Sequence, residues 1–72
     1  MERLFTAIFE QKGDWWIGYL EELPGVNSQG RSLEETRENL REAAHLVLKA
    51  NRQLARRETK GKTVIREELA LA

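Results

Sequence analysis

Few residues in this chain have the chemistry of an active site, and their spacing does not assemble one. There is one histidine, His45, and no cysteine. A hydrolytic triad needs a nucleophile, a base to take its proton and an acid to orient the base. His45 falls in the middle of a helical pattern, far in sequence from either serine, and reads as a helix residue at the edge of the buried stripe. A zinc site needs several His or Cys ligands, which the chain does not have. Two-metal nuclease chemistry needs carboxylates clustered on strand centres. The first apolar stretch offers Thr6, Ala7 and Ile8 there instead. Gly25 and Gly30 belong to no phosphate-binding pattern. The expectation is a protein that is not an enzyme and uses no metal and no cofactor.

Two features have binding character. Trp15 and Trp16 are adjacent in a strand-like stretch, so their rings must leave opposite faces of a sheet. A single helix cannot cover both. One ring can be core, while the other lies on the far face, either at an interface, where Trp is enriched, or packed on its own neighbours. The second feature is the basic run Arg52, Arg56, Arg57, Lys60 and Lys62, opposed only by Glu58. It reads as a solvated helix end complementing the helix dipole, or as a contact for phosphate or an acidic partner.

The elements that position these residues follow from periodicity. Arg3 to Gln11 alternates as a first strand, with Phe5, Ala7 and Phe9 on one face. Both faces are fairly apolar, which predicts a central strand. Lys12-Gly13-Asp14 is a hairpin turn. Trp15 to Glu21 is a second strand, with Trp15, Ile17 and Tyr19 on one face and Trp16, Gly18 and Leu20 on the other. Leu23-Pro24-Gly25 fits a type II turn, and Val26 to Gln29 is a short third strand. Ser32-Leu33-Glu34-Glu35 is a capping box that starts a helix running to about Arg56. Leu33, Thr36, Leu40, Ala43, Ala44, Val47, Ala50 and Leu54 form its apolar stripe. Glu34, Glu35 and Glu38 gather at the start of that helix. Gly61 ends the helical pattern, and Thr63 to Leu71 reads as a last strand placed beside the first by a crossover. The expected fold is α+β, a three-stranded antiparallel meander with one long helix on it and a C-terminal fourth strand, β-β-β-α-β.

Seventy-two residues predict one domain, 1–72, with a core so small that stability depends on association. Twelve basic and twelve acidic residues cancel, so no global field steers the protein to nucleic acid or to an anionic membrane. Eight of the twelve cations are arginine, which leans toward an ion-paired surface. No apolar run approaches the roughly 20 residues of a membrane span. With no signal-peptide core at the N-terminus, the expectation is a soluble, cytoplasmic protein.

The motif series itself resembles a family. Phe5-Thr6-Ala7-Ile8-Phe9-Glu10 precedes a Gly-containing turn and the aromatic strand Trp15-Trp16-Ile17-Gly18-Tyr19. Leu23-Pro24-Gly25-Val26-Asn27-Ser28-Gln29-Gly30 follows, then Ser32-Leu33-Glu34-Glu35 and Asn39-Leu40-Arg41-Glu42-Ala43. From about Leu4 to Val47 this order resembles the HicB-type antitoxins. The chain departs from that pattern at Leu20, where Pro is frequent, at Val26, where Cys is frequent, and at Thr36-Arg37, which replace Ala-Leu. The resemblance implies a reduced ribonuclease-H-like domain without catalytic carboxylates. It also implies a partner, a small basic RNA-cleaving toxin of the HicA type, which the glutamates of the helix start and of Glu21-Glu22 would complement. Because the sequence stops at Ala72, the DNA-binding domain that many such proteins carry is not expected to be fused to it.

On this reading the chain is a non-enzymatic binding module and a homodimer or higher oligomer. Trp15, Trp16, Tyr19, Glu21 and Glu22 are its expected contact residues. Pro24, Gly25, Gly30, Ser32 and Glu35 are its structural turn and cap, and Arg52, Arg56 and Arg57 form a candidate anion contact. The rival readings are a solitary homo-oligomer without a toxin and a weak RNA binder.

Overall fold

A computed structural model describes residues 4–70. Three strands, β1 (Ala7–Lys12), β2 (Trp15–Leu20) and β3 (Asn27–Gly30), precede one helix, α1 (Leu33–Thr59). The strands form an antiparallel sheet in the order β1-β2-β3. The two-residue loop Gly13-Asp14 closes the first hairpin, so that Lys12 faces Trp15 and Phe9 faces Gly18.

Between β2 and β3 the chain turns at Pro24-Gly25 as expected. Gly25 has φ +89, and the Val26 N–H donates to the Leu23 carbonyl at 3.4 Å. Proline presets the first turn position and glycine tolerates the positive φ at the second. The turn drives Val26 into the interior, where it is 1% exposed.

Ser32 caps α1, its hydroxyl accepting from the Glu35 N–H at 3.1 Å. The Glu35 carboxylate accepts in turn from the Arg31 N–H at 3.2 Å, one residue ahead of the usual capping-box partner. The first turns of the helix are fastened to β3. Ser28 Oγ donates to the Thr36 carbonyl at 2.9 Å, and Asn39 Nδ2 donates to the Gln29 carbonyl at 3.0 Å. Thr36, wholly buried, donates its hydroxyl to the Ser32 carbonyl and lies over two glycines of the sheet. A Cβ on Gly18 would come within 3.2 Å of the Thr36 methyl and within 2.9 Å of the Phe9 ring. The missing side chains let the helix sit close.

Leu20, Val26 and Leu40 are the buried apolar residues, with Phe5, Phe9, Leu23, Ala43, Ala44 and Val47 packed around them. At roughly 1.5–3 kcal/mol for each large apolar side chain fully buried, so small a centre provides a modest driving force.

Two expectations about the strands are corrected. Residues 63–70 form no strand, so the order is β-β-β-α and not β-β-β-α-β. Leu71, the expected end of that strand, lies outside the described residues, as does Arg3, the expected start of the first. β1 is also an edge strand and not a central one, since it pairs with β2 alone. The cause is the length of α1. The helix continues through Thr59, whose hydroxyl donates to the Ala55 carbonyl at 2.9 Å, and so overshoots the sheet. Val64 and Ile65 have strand-forming side chains, but such propensity acts only where a neighbouring strand and a covering face are within reach. The apolar stripe is shortened accordingly. Thr36 and Leu40 are buried, whereas Ala50 and Leu54 are exposed.

Candidate functional site

α1 covers one face of the sheet and leaves the other open. Alternation along each strand sorts the side chains. Phe9, Gly18 and Ser28 are aligned across the sheet and point to the helix. Trp16, Leu20 and Gly30 share that side. The opposite face presents Ile8, Tyr19 and Asn27 in one cross-strand row, Glu10, Ile17 and Gln29 in the next, and Lys12 with Trp15 in a third.

The open face is partly apolar, and no helix or strand among the described residues covers it. Trp15 is 42% exposed and Tyr19 43%, with the half-buried Ile17 between them on β2. Three alternate residues of one strand span about 14 Å. Arg31 follows β3 and lays its guanidinium over the Trp15 ring, 4.3 Å from the centroid. This cation–π contact holds the indole at one end of the row and gives it a charged rim. Beside Ile17 and Tyr19, the polar ends of Asn27 and Gln29 border a shallow depression. The arrangement suits a protein surface of mixed polarity better than a small molecule, which needs an enclosing cleft.

The expected contact residues do not all meet there. Trp15 and Tyr19 share the open face, while Trp16 turns to the helix side and is half-buried. Glu21 and Glu22 stand past the end of β2, remote from Trp15. The Glu21 N–H donates to the Thr6 carbonyl at 2.9 Å, and the Glu22 carboxylate accepts from the Thr6 N–H at 2.7 Å. Hydrogen bonds from Thr6, through its side chain first and its backbone second, hold the Glu22 carboxyl below its ordinary range. These glutamates fasten the segment that leads into β1. Pro24, Gly25, Gly30, Ser32 and Glu35 occupy the turn, the close approach and the cap described above.

Ile8, Ile17 and Arg31 belong to the open face but were absent from the expected contacts. The alternation that puts Ile17 between Trp15 and Tyr19 is readable in the sequence. The place of Arg31 depends on the pairing of Trp16 with Gly30, which puts the next residue beside Trp15.

His45 is exposed on the outer side of α1, near Glu38, Arg41, Glu42 and Leu46, and not at the edge of the buried stripe. Among the described residues no three His, Cys, Asp or Glu side chains gather to hold a metal ion. Nor is any helix among them long and apolar enough to cross a membrane. Arg52, Arg56 and Arg57 are exposed on the overshooting end of α1. Arg66 joins this end, donating to Thr59 Oγ1 at 3.1 Å.

Among known proteins, the chain is similar to a UPF0150 protein of Thermotoga maritima. The two are 42% identical over 50 residues, which is 67% of this chain and 67% of that protein. No family model and no solved structure matches the chain.

Proposed function

The chain belongs to the UPF0150 family, and from that premise we propose that it is a non-enzymatic, cytoplasmic protein-binding module that acts as a HicB-like antitoxin. Its partner is a small HicA-type RNA-cleaving toxin. The observation that carries this reading is the uncovered face of the sheet, where Trp15, Ile17 and Tyr19 stand in one row with Arg31 fixed on the indole. Interfaces of this kind place aromatic and arginine anchors at their centre and polar groups at the rim. Asn27, Gln29 and Glu10 supply the polar groups. The order of the Leu-Pro-Gly turn, the Gln-Gly step and the Ser-Leu-Glu-Glu helix start supports the same reading.

Co-expression of the chain with the product of the adjacent reading frame tests it. The two proteins co-purify, and the chain suppresses RNA cleavage by its neighbour. Combined Trp15→Ala and Tyr19→Ala substitutions weaken that complex at least tenfold, since each tenfold is about 1.4 kcal/mol and a single anchor exceeds that. A neighbour that neither binds nor cleaves RNA overturns the reading and leaves a solitary homo-oligomer.

A weak RNA-binding role rests on a different observation, the exposed cations Arg52, Arg56, Arg57 and Arg66 at the projecting end of α1. It requires an affinity that falls with salt and a salt slope that Arg56→Ala with Arg57→Ala reduces.

A further inference from the structure

The chain exposes far more surface than a compact protein of its mass. Its accessible area is 6432 Å², whereas a compact monomer of 8.4 kDa exposes about 4,600 Å². The excess is about 1,800 Å² per chain, which for two chains matches the 2,000–5,000 Å² hidden in obligate dimers. The radius of gyration agrees, at 15.6 Å against about 11 Å for a compact chain of this length.

The excess surface includes two complementary parts. The first is a groove between β1 and α1, lined by Phe5, Ala7, Phe9, Leu20, Leu40 and Ala44, with Arg37 and Arg41 at its rim. It runs beside the outer edge of β1, which has no strand partner among the described residues. The second is the arm of residues 63–70. Ile65 is 90% exposed, Leu69 77% and Val64 48%. In an extended arm Ile65, Glu67 and Leu69 share one face. Two apolar side chains there flank an acid, and the groove offers apolar walls under Arg37 and under Arg41, which Glu38 also holds at 2.7 Å.

The arm does not fill the groove of its own chain, since Ile65 and Leu69 both stand exposed. From Thr59 back to Leu40 along α1 is about 28 Å at 1.5 Å per residue. Ile65 is six residues past Thr59, spans at most about 22 Å and falls short of Leu40 in its own chain.

We infer that the occupant of the groove is the arm of a second copy of this chain. Ile65 and Leu69 of each copy enter the other's groove, and Glu67 meets Arg37 and Arg41. The exchange is reciprocal, as a two-fold dimer requires. It covers the exposed edge of β1, which otherwise invites indiscriminate pairing. The open face with Trp15 and Tyr19 stays clear of it, so the inference stands whether or not a toxin is bound.

Analytical ultracentrifugation of the full chain at micromolar concentration tests the dimer. The expected mass is twice the chain mass, and a single-chain mass overturns the inference. I65D with L69D should halve the mass, because Ile65 and Leu69 touch little within their own chain. An undiminished dimer mass overturns the exchange. A cross-link gives a second readout that does not depend on how that variant folds. The chain has no cysteine, so R37C with I65C introduces one defined pair. Arg37 is about 33 Å along α1 from Thr59, beyond the reach of Ile65 in the same chain. Mild oxidation should yield covalently joined pairs of chains on a non-reducing gel. A link closed within one chain, or no link, overturns the inference.

Discussion

Gly30 and Thr36 leave no room for a Cβ between them. One built on Gly30 would lie 2.8 Å from Thr36 Oγ1 and 3.0 Å from the Thr36 nitrogen. The nitrogen is part of the first helical turn, bonded to the Ser32 carbonyl at 3.0 Å, and cannot give way without lifting the helix from β3. Gly30→Ala is therefore destabilising through crowding. Overpacking of this kind costs about 1–3 kcal/mol, and each kcal/mol lowers the melting temperature by roughly 4–8 °C in a domain of this size. Thermal unfolding followed by circular dichroism reads the loss.

The cap makes a smaller, separable contribution. Ser32→Ala removes the acceptor of the Glu35 N–H and costs about 1 kcal/mol. Ser32→Gly should cost only a few tenths of that unit. A chemical denaturation series in which alanine and glycine behave alike would contradict the cap assignment.

The two tryptophans divide by face, and so should their substitutions. Trp16 lies half-buried on the helix side, so Trp16→Ser gives up the apolar area hidden there and costs about 2 kcal/mol. Trp15 is 42% exposed, with Arg31 laid over its ring, so Trp15→Ser changes the stability of the isolated chain by less than about 1 kcal/mol. Equilibrium unfolding of the two variants side by side measures the contrast.

Glu22 makes one contribution of known sign. Its carboxyl is held below the ordinary value of 4.5 by its hydrogen bonds from Thr6. The stabilisation is therefore fully present above the unfolded value and disappears as pH falls through the lowered folded one. Glu22→Gln should lower the melting temperature more at about pH 7 than at about pH 3. The group is exposed, so the difference is small. Equal effects at both pH values would show that the charge on Glu22 does not matter.

What could be read in the sequence was whatever is specified locally. Pro24-Gly25 dictates its own turn, Ser32 with Glu35 dictates the helix start, and the alternation of β2 divides Trp15 from Trp16. Each signal lies within a few residues of the structure that it produces. The fourth strand was misread because Val64 and Ile65 report only a preference for extended backbone. Whether an edge lies within reach depends on how far a helix of 27 residues carries the chain, and neither Val64 nor Ile65 reports that. The same gap split the expected contact set. Glu21 and Glu22 are close to Tyr19 in sequence, but Thr6, sixteen residues from Glu22, holds the Glu22 carboxylate at another end of the sheet. Arg31 was missed for the opposite reason, since strand pairing alone brings it to Trp15.

The overshoot of α1 makes the helix a gauge of its own surroundings. Near Thr36 and Leu40, amide hydrogens can exchange with solvent only when the helix leaves the sheet. Beyond Leu48 the helix has little beneath it, and a dozen residues of isolated helix are marginal in water. Deuterium uptake should therefore rise steeply along a single unbroken helix, slow at Leu40 and fast at Arg52. The position of that step marks how far along the rod any neighbour extends. One backbone element thus records, amide by amide, where the protein's own fold ends and where its company begins.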